Sequence, residues 1–152
     1  MNTNPMTACS IKPVPPSPAL MELLTACKLP VVDISDTGPA QFFGTFANDE
    51  LVGAVGLEAY GDVALLRSLA VKPAQRGRGL GRMLLLYVEQ HAAAHGIRDL
   101  YLLTTTAAPF FSANGYIMAE RRQAPEAIQA TAQFSGLCPS VASFMCKRLP
   151  PD

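Results

Sequence analysis

A chain of 152 residues is the right length for one domain with a buried core, because folding at this size removes about 68–70% of the unfolded surface; residues 1–152 therefore read as a single domain. Its twelve Lys and Arg cancel twelve Asp and Glu, which excludes a global field holding the chain on nucleic acid or an anionic membrane, so any anion site has to be local. No apolar run between Met1 and Pro18 is long enough for a signal peptide or a membrane span, which makes the cytoplasm the expected location.

Ala8 to Val14 reads as a short edge strand, cut off by the prolines at 13, 15 and 16, which cannot donate to a ladder. Ser17-Pro18 supplies an N-cap and first helical residue for a helix over Ala19 to Lys28, where Leu20, Leu23, Leu24 and Cys27 recur at helical spacing. Asp36-Thr37-Gly38-Pro39 is a turn cluster that returns the chain to extended structure. Gln41 to Val71 is rich in β-formers and interrupted at Asn48-Asp49-Glu50 and Tyr60-Gly61-Asp62, which predicts three antiparallel strands joined by two hairpin turns. After a glycine-rich segment, Leu80 to His95 carries Leu80, Leu84, Tyr87, Val88 and His91 on one side of a helix that Gly96 stops.

Asp99 to Thr105 is a compact apolar run, read as a buried strand, although periodicity alone does not exclude a helix. Ala107 to Ala113 is a short helix ended by Asn114-Gly115, and Tyr116 to Arg121 a strand. Pro125 opens a small helix through about Thr131, and Ala142 to Arg148 is the last strand. The order βα-βββ-α-β-α-β-α-β predicts an α/β (α+β) fold: a single mixed, mainly antiparallel sheet of six or seven strands with helices on both faces. Cys9, Cys27, Cys138 and Cys146 lack the spacing of a zinc site and read as reduced, small core hydrophobes.

Between a strand and a helix, Gly77, Gly79 and Gly81 alternate with Arg76, Arg78 and Arg82. Without Cβ atoms such a backbone turns tightly, so successive N–H groups can converge on an anion at the positive end of the helix dipole. Arginines add charge-assisted, bidentate phosphate donors, and the site suits a pyrophosphate. No Lys-Ser/Thr pair ends the loop as a P-loop needs, and three antiparallel strands precede it instead of the βαβ opening of a Rossmann unit.

These residues resemble the GNAT superfamily of acetyltransferases. Arg76-Gly77-Arg78-Gly79-Leu80-Gly81 is similar to its R/Q-x-x-G-x-G/A motif and follows the strand segment Arg67-Ser68-Leu69-Ala70-Val71; Ala107 to Tyr116 resembles its second signature, a helix ending in an aromatic pair, spacer and Gly-aromatic step. The resemblance covers a core of residues 41–148, with residues 1–40 a shortened N-terminal strand-helix region. It implies acetyl-CoA held at Arg76 to Arg82, with the backbone of Leu69 and Val71 pairing with the pantetheine as an added strand. Thr104 would face the pantetheine, Phe110 and Phe111 would wall its thiol end, and the Leu69 N–H or its neighbour would serve the oxyanion. A homodimer through terminal strands is a further implication. The long tail from Arg121 to Leu149, together with Gly56-Leu57-Glu58 and Leu65 to Val71, resembles the N-acetyltransferases of bacterial arsenic-resistance operons; Thr104-Thr105 and Phe110-Phe111 more distantly resemble the acetyltransferase domain of N-acetylglutamate synthase. Both point to a small-molecule amine acceptor that is amino-acid-like.

Acyl transfer from a thioester to an amine needs a neutral nucleophile, oxyanion donors and a proton for the departing thiolate. Phe111 stands where many members place a tyrosine acid, so water or another group protonates the thiolate, or the modest pKa of a thiol, about 8.5, makes an acid dispensable. Glu58 is the carboxylate best placed to be the base, with water as the other choice. Arg67, amid Val63, Ala64, Leu65, Leu66 and Leu69, needs an anionic partner, which is either Glu58 or a substrate carboxylate. Arg121 and Arg122 would alternate faces of a strand as solvated charges. His91 and His95 lie one helical turn apart without a third ligand, so no metal is expected. Two other functions are open to the sequence: a CoA-binding sensor without catalysis, and a protein-lysine acetyltransferase, although no acidic cluster for a basic peptide is visible.

Overall fold

The computed structural model describes residues 10–137 and 141–151, so Cys9, Cys138 and the start of the strand expected from Ala8 lie outside the described residues. Its strands are β1 (Ile11–Val14), β2 (Ala40–Ala47), β3 (Glu50–Tyr60), β4 (Val63–Val71), β5 (Asp99–Thr104), β6 (Ile117–Met118) and β7 (Ser143–Arg148). The α-helices are α1 (Pro18–Ala26), α2 (Leu80–Ala94), α3 (Ala108–Ala113) and α4 (Glu126–Gln129). The strands form one seven-stranded sheet in the order β1-β2-β3-β4-β5-β7-β6, mixed because β4 and β5 run parallel while β1–β2, β5–β7 and β6–β7 are antiparallel. No described helix is long and apolar enough to cross a membrane. The chain divides into two compact units, Met1–Leu57 with Ser68–Val88, and Glu58–Arg67 with Glu89–Asp152.

In the first unit, α1 starts where Ser17 accepts a hydrogen bond from the Leu20 amide at 3.3 Å and Pro18 occupies the first turn. Its apolar stripe, Leu20, Leu23 and Leu24, is buried against Phe42, Leu51, Ala54 and Ala70. Successive strand residues point to opposite faces, and the adjacent Phe43 accordingly packs on Tyr87 of α2, ring centroids 5.3 Å apart. The two helices thus cover opposite faces of β2, as the period-2 pattern requires. Asn48 and Asp49 join β2 to β3 with φ of 51° and 65°, the left-handed pair of a type I′ hairpin turn.

In the second unit, β5 lies between neighbours on both sides. Among the described residues its parallel ladder with β4 covers Val63–Asp99, Ala64–Leu100 and Leu65–Tyr101, whereas its antiparallel ladder with β7 runs the whole way from Asp99–Arg148 to Thr104–Ser143. Leu65, Ala124, Ile128 and Phe144 form a buried cluster edged by Tyr60, Tyr101 and Phe134.

Four expectations need correction here. The strand over Tyr116 to Arg121 contracts to β6, because Glu120 leads into a 3-10 turn at Arg121–Gln123. Arg121 is consequently not a solvated strand charge: its Nη2 donates to the Ala142 carbonyl at 2.7 Å and its guanidinium lies 5.6 Å from the Phe134 ring centroid, while Arg122 stays exposed. The small helix after Pro125 is the single turn α4, and a π-helical turn at Gln133–Leu137 follows that no sequence signal announced. Cys27 and Cys146 are free thiols but only half-buried.

Candidate functional site

The glycine-rich loop lies within the first unit and turns left-handed at two of its glycines. Gly77 and Gly79 take φ of +83° and +79°, values in which a side chain is strained, and open space surrounds the Cβ position of Gly77. The backbone ladder of α2 begins with Met83 donating to Gly79 at 3.0 Å; among the described residues the amides from Gly77 to Gly81 have no carbonyl partner. Arg76, Arg78 and Arg82 are exposed around them. Free N–H groups at the start of a 15-residue helix, ringed by guanidinium groups, fit a diphosphate by both charge and hydrogen-bonding capacity.

Two of these arginines are partly held by the protein itself. Arg76 Nε donates to the Val71 carbonyl at 3.0 Å and its Nη2 lies 3.6 Å from Cys27 Sγ, while Arg78 Nη1 reaches Gln75 Oε1 at 3.4 Å. The Cys27 thiol also points at the Val71 carbonyl, at 3.7 Å. The Val71 carbonyl thus already accepts from Arg76 and faces the Cys27 thiol, so any strand-like pairing with a ligand at the end of β4 shares that oxygen or uses the other backbone groups of Leu69 and Val71. Sequence reasoning missed Ser68. It sits within β4 at φ +58°, a left-handed residue in a strand, which re-aims the backbone of the Leu69 step beside it. Serine carries no left-handed preference, so nothing in the sequence marked it.

In the second unit, Glu58 and Arg67 meet. Arg67 Nη1 donates to Glu58 Oε2 at 2.8 Å with the two side chains 1% and 2% exposed, and the Tyr60 hydroxyl donates to Glu58 Oε1 at 2.6 Å. Of the two partners the sequence left open for Arg67, the structure supplies Glu58. Glu58 is fully buried, neither a solvent-facing strand residue nor the semi-buried one expected of a base. Tyr60 was read only as part of a turn, yet it lies two residues from Glu58 on a strand, and that spacing puts both on one face.

The expected thiol-end residues also belong to the second unit. Thr104 Oγ1 accepts from the Ala107 amide at 3.0 Å, so its hydroxyl caps the turn into α3. Phe111 is buried with its ring edge-on to Phe110 and Tyr116 at 5.2 and 5.6 Å. Tyr116 donates to Glu89 Oε2 at 2.8 Å, and Lys147 Nζ bridges Glu89 Oε1 at 3.1 Å and the Asn114 carbonyl at 3.0 Å. Burial, then the Glu89 charge and hydrogen bond, push the Tyr116 phenol well above its ordinary range, so this tyrosine does not replace the acid missing at Phe111. At Gly115, with φ +96°, a Cβ would stand 3.2 Å from Lys147 Cε; the glycine lets the lysine in.

His91 and His95 stack with ring centroids 4.3 Å apart, and burial, then His95, lowers the pKa of His91. Among the described residues no three His, Cys, Asp or Glu side chains are grouped to hold a metal ion.

Known proteins are similar to this chain in family and fold. The model of the acetyltransferase (GNAT) family matches residues 11–116. N-acetylglutamate synthase from Neisseria gonorrhoeae, solved with coenzyme A and N-acetyl-glutamate, aligns with 93% of the chain at 21% identity and TM-score 0.78, but the chain spans only 35% of that protein's length. Rv2747 from Mycobacterium tuberculosis, solved with CoA and NLQ, aligns with 93% of this chain and 99% of its own at 20% identity and TM-score 0.75. An acetyltransferase from Streptococcus agalactiae 2603 aligns with 93% and 99% at 19% identity and TM-score 0.71. At these identities the structures establish the fold: a mixed seven-stranded sheet with helices.

Proposed function

This chain belongs to the acetyltransferase (GNAT) family, and from that premise we propose that it moves the acetyl group of acetyl-CoA to the free amine of a small amino-acid-like acceptor. The observation that carries the proposal is the row of amides from Gly77 to Gly81 at the head of α2, without a carbonyl partner among the described residues and ringed by Arg76, Arg78 and Arg82. That is a receptor for a diphosphate, the group by which a CoA thioester is most easily told from other acyl donors.

Acetyl-CoA supplies an activated acetyl group as a thioester. The loop amides and the Arg78 and Arg82 guanidinium groups hold its pyrophosphate, and Arg76, tied to the Val71 carbonyl, fixes the loop to the end of β4. The Leu69 N–H, set by the left-handed turn at Ser68, is assigned to the oxyanion of the tetrahedral intermediate. Glu58 takes the proton of the acceptor amine, and Arg67 orients Glu58 instead of binding the acceptor carboxylate. With no ionisable proton on Phe111 and Tyr116 committed to Glu89, the CoA thiolate leaves without a dedicated side-chain acid.

The amino-acid-like acceptor is supported by the sequence resemblances and by the N-acetyl-glutamate bound to the Neisseria synthase. Its more specific form, an amino-acid-like organoarsenical acetylated in arsenic resistance, is supported by the sequence resemblance of the tail from Arg121 to Leu149, of Gly56-Leu57-Glu58 and of Leu65 to Val71. Release of CoA thiol from acetyl-CoA over a panel of α-amino acids, their amides and a lysine peptide is the test. The proposal expects turnover on α-amino acids above the peptide. Turnover on the peptide alone would assign the chain to protein-lysine acetylation, and tight binding without turnover on any amine would make it a CoA sensor.

A further inference from the structure

Glu58 has a problem as a base. At 2% exposure its carboxylate meets neither bulk water nor a solvent-borne amine directly, and one oxygen, Oε2, is held by Arg67 at 2.8 Å. The other oxygen, Oε1, accepts from the Tyr60 hydroxyl at 2.6 Å, a short charge-assisted bond. Tyr60 itself is only half-buried: its ring packs on the cluster of Leu65, Ala124, Ile128 and Phe144, and part of the residue remains open to solvent. Tyr60 is therefore a partly exposed residue whose hydroxyl is bonded directly to the buried carboxylate.

Resting on the assignment of Glu58 as the proton acceptor, we infer that Tyr60 is the outer member of a two-residue proton relay and the group that the acceptor's ammonium touches. The acceptor N–H proton passes to Tyr60 Oη while the Tyr60 hydroxyl proton passes to Glu58 Oε1. The ammonium becomes a neutral amine, Glu58 becomes a neutral carboxylic acid, and Tyr60 ends as it began, a phenol. No free phenolate forms, which matters because an ordinary phenol loses its proton only near pH 10. The buried Arg67 guanidinium keeps Glu58 Oε2 occupied, so Oε1 is the atom that takes the proton. After the product leaves, the proton returns to water by the same route in reverse.

The test compares Tyr60→Phe and Glu58→Gln, using acetyl-CoA and whichever α-amino acid of the panel the wild type acetylates fastest. Tyr60→Phe keeps the ring that packs on the buried cluster and removes only the hydroxyl. The relay predicts that both variants lose roughly 10²- to 10⁴-fold in kcat, the range for a general base. It also predicts that each keeps its acetyl-CoA affinity and loses the acid-side limb of the wild-type pH–rate profile. Because Tyr60→Phe could disturb folding, 3-fluorotyrosine at position 60 gives a second readout: a more acidic, nearly isosteric phenol that shifts the rate and the proton inventory in H₂O/D₂O mixtures. A Tyr60→Phe enzyme with wild-type rate and pH profile beside an inactive Glu58→Gln would overturn the relay and leave the base assignment standing. Full activity in Glu58→Gln would overturn both.

Discussion

Glu58 and Arg67 form a buried ion pair, and such a pair is expensive to assemble and still more expensive to break. Removing one partner leaves an uncompensated charge in a dry interior, whereas exchanging arginine for lysine keeps the charge and loses the planar fork. Arg67→Lys is accordingly expected to lower kcat through a misoriented Glu58 while the ratio of kcat/KM between an α-amino acid and its amide stays at the wild-type value. A collapse of that ratio would move Arg67 from Glu58 to the acceptor's carboxylate. Tyr116 provides a separate pH prediction. Its folded pKa lies above the ordinary value of about 10, so the folded chain keeps a proton that the unfolded chain loses as the pH rises, and stability falls above that point. The slope reaches at most about 1.4 kcal/mol per pH unit. Urea melts at pH 9, 10 and 11 should show the wild type losing stability faster than Tyr116→Phe; parallel losses would contradict the assignment.

At the scale of the element, the loop and helix that begin at Gly77 carry the binding claim. Gly79→Ala would place a side chain at φ +79°, costing about 1–2 kcal/mol. If that strain falls on the loop conformation that binds acetyl-CoA, affinity measured by calorimetry drops roughly five- to thirtyfold. Unchanged affinity and unchanged stability would mean that the loop's left-handed geometry is irrelevant. Elements with strong local signals were legible in the sequence: Ser17-Pro18 opening α1, Asn48-Asp49 turning the hairpin, and the loop before α2, where Gly77 and Gly79 take positive φ. Those set by tertiary partners were not. Arg121 leaves the strand pattern for the Ala142 carbonyl, and Ser68 turns left-handed without being a residue that favours it. The Glu89 network, built from residues 27 and 58 positions apart, has no sequence pattern to read.

For the whole molecule, twelve positive and twelve negative side chains leave no long-range field, so the proposed recognition of a polyanionic donor is assigned to local groups: the amides at the head of α2 and the arginines around them. The neutral balance also gives no reason to favour a basic peptide over a small acceptor. Fold class and donor were visible from the sequence because they depend on a contiguous motif. The proposed proton handling is only half legible there, since Glu58 can be named as a candidate while its burial and its bonds to Arg67 and Tyr60 arise from folding. The most direct test is calorimetric titration of the protein with acetyl-CoA, alongside acetyl phosphate, which lacks the diphosphate bridge. The account predicts saturable binding of acetyl-CoA that weakens with added salt and no comparable binding of acetyl phosphate; no detectable heat with acetyl-CoA, or equal affinity for both, would contradict it.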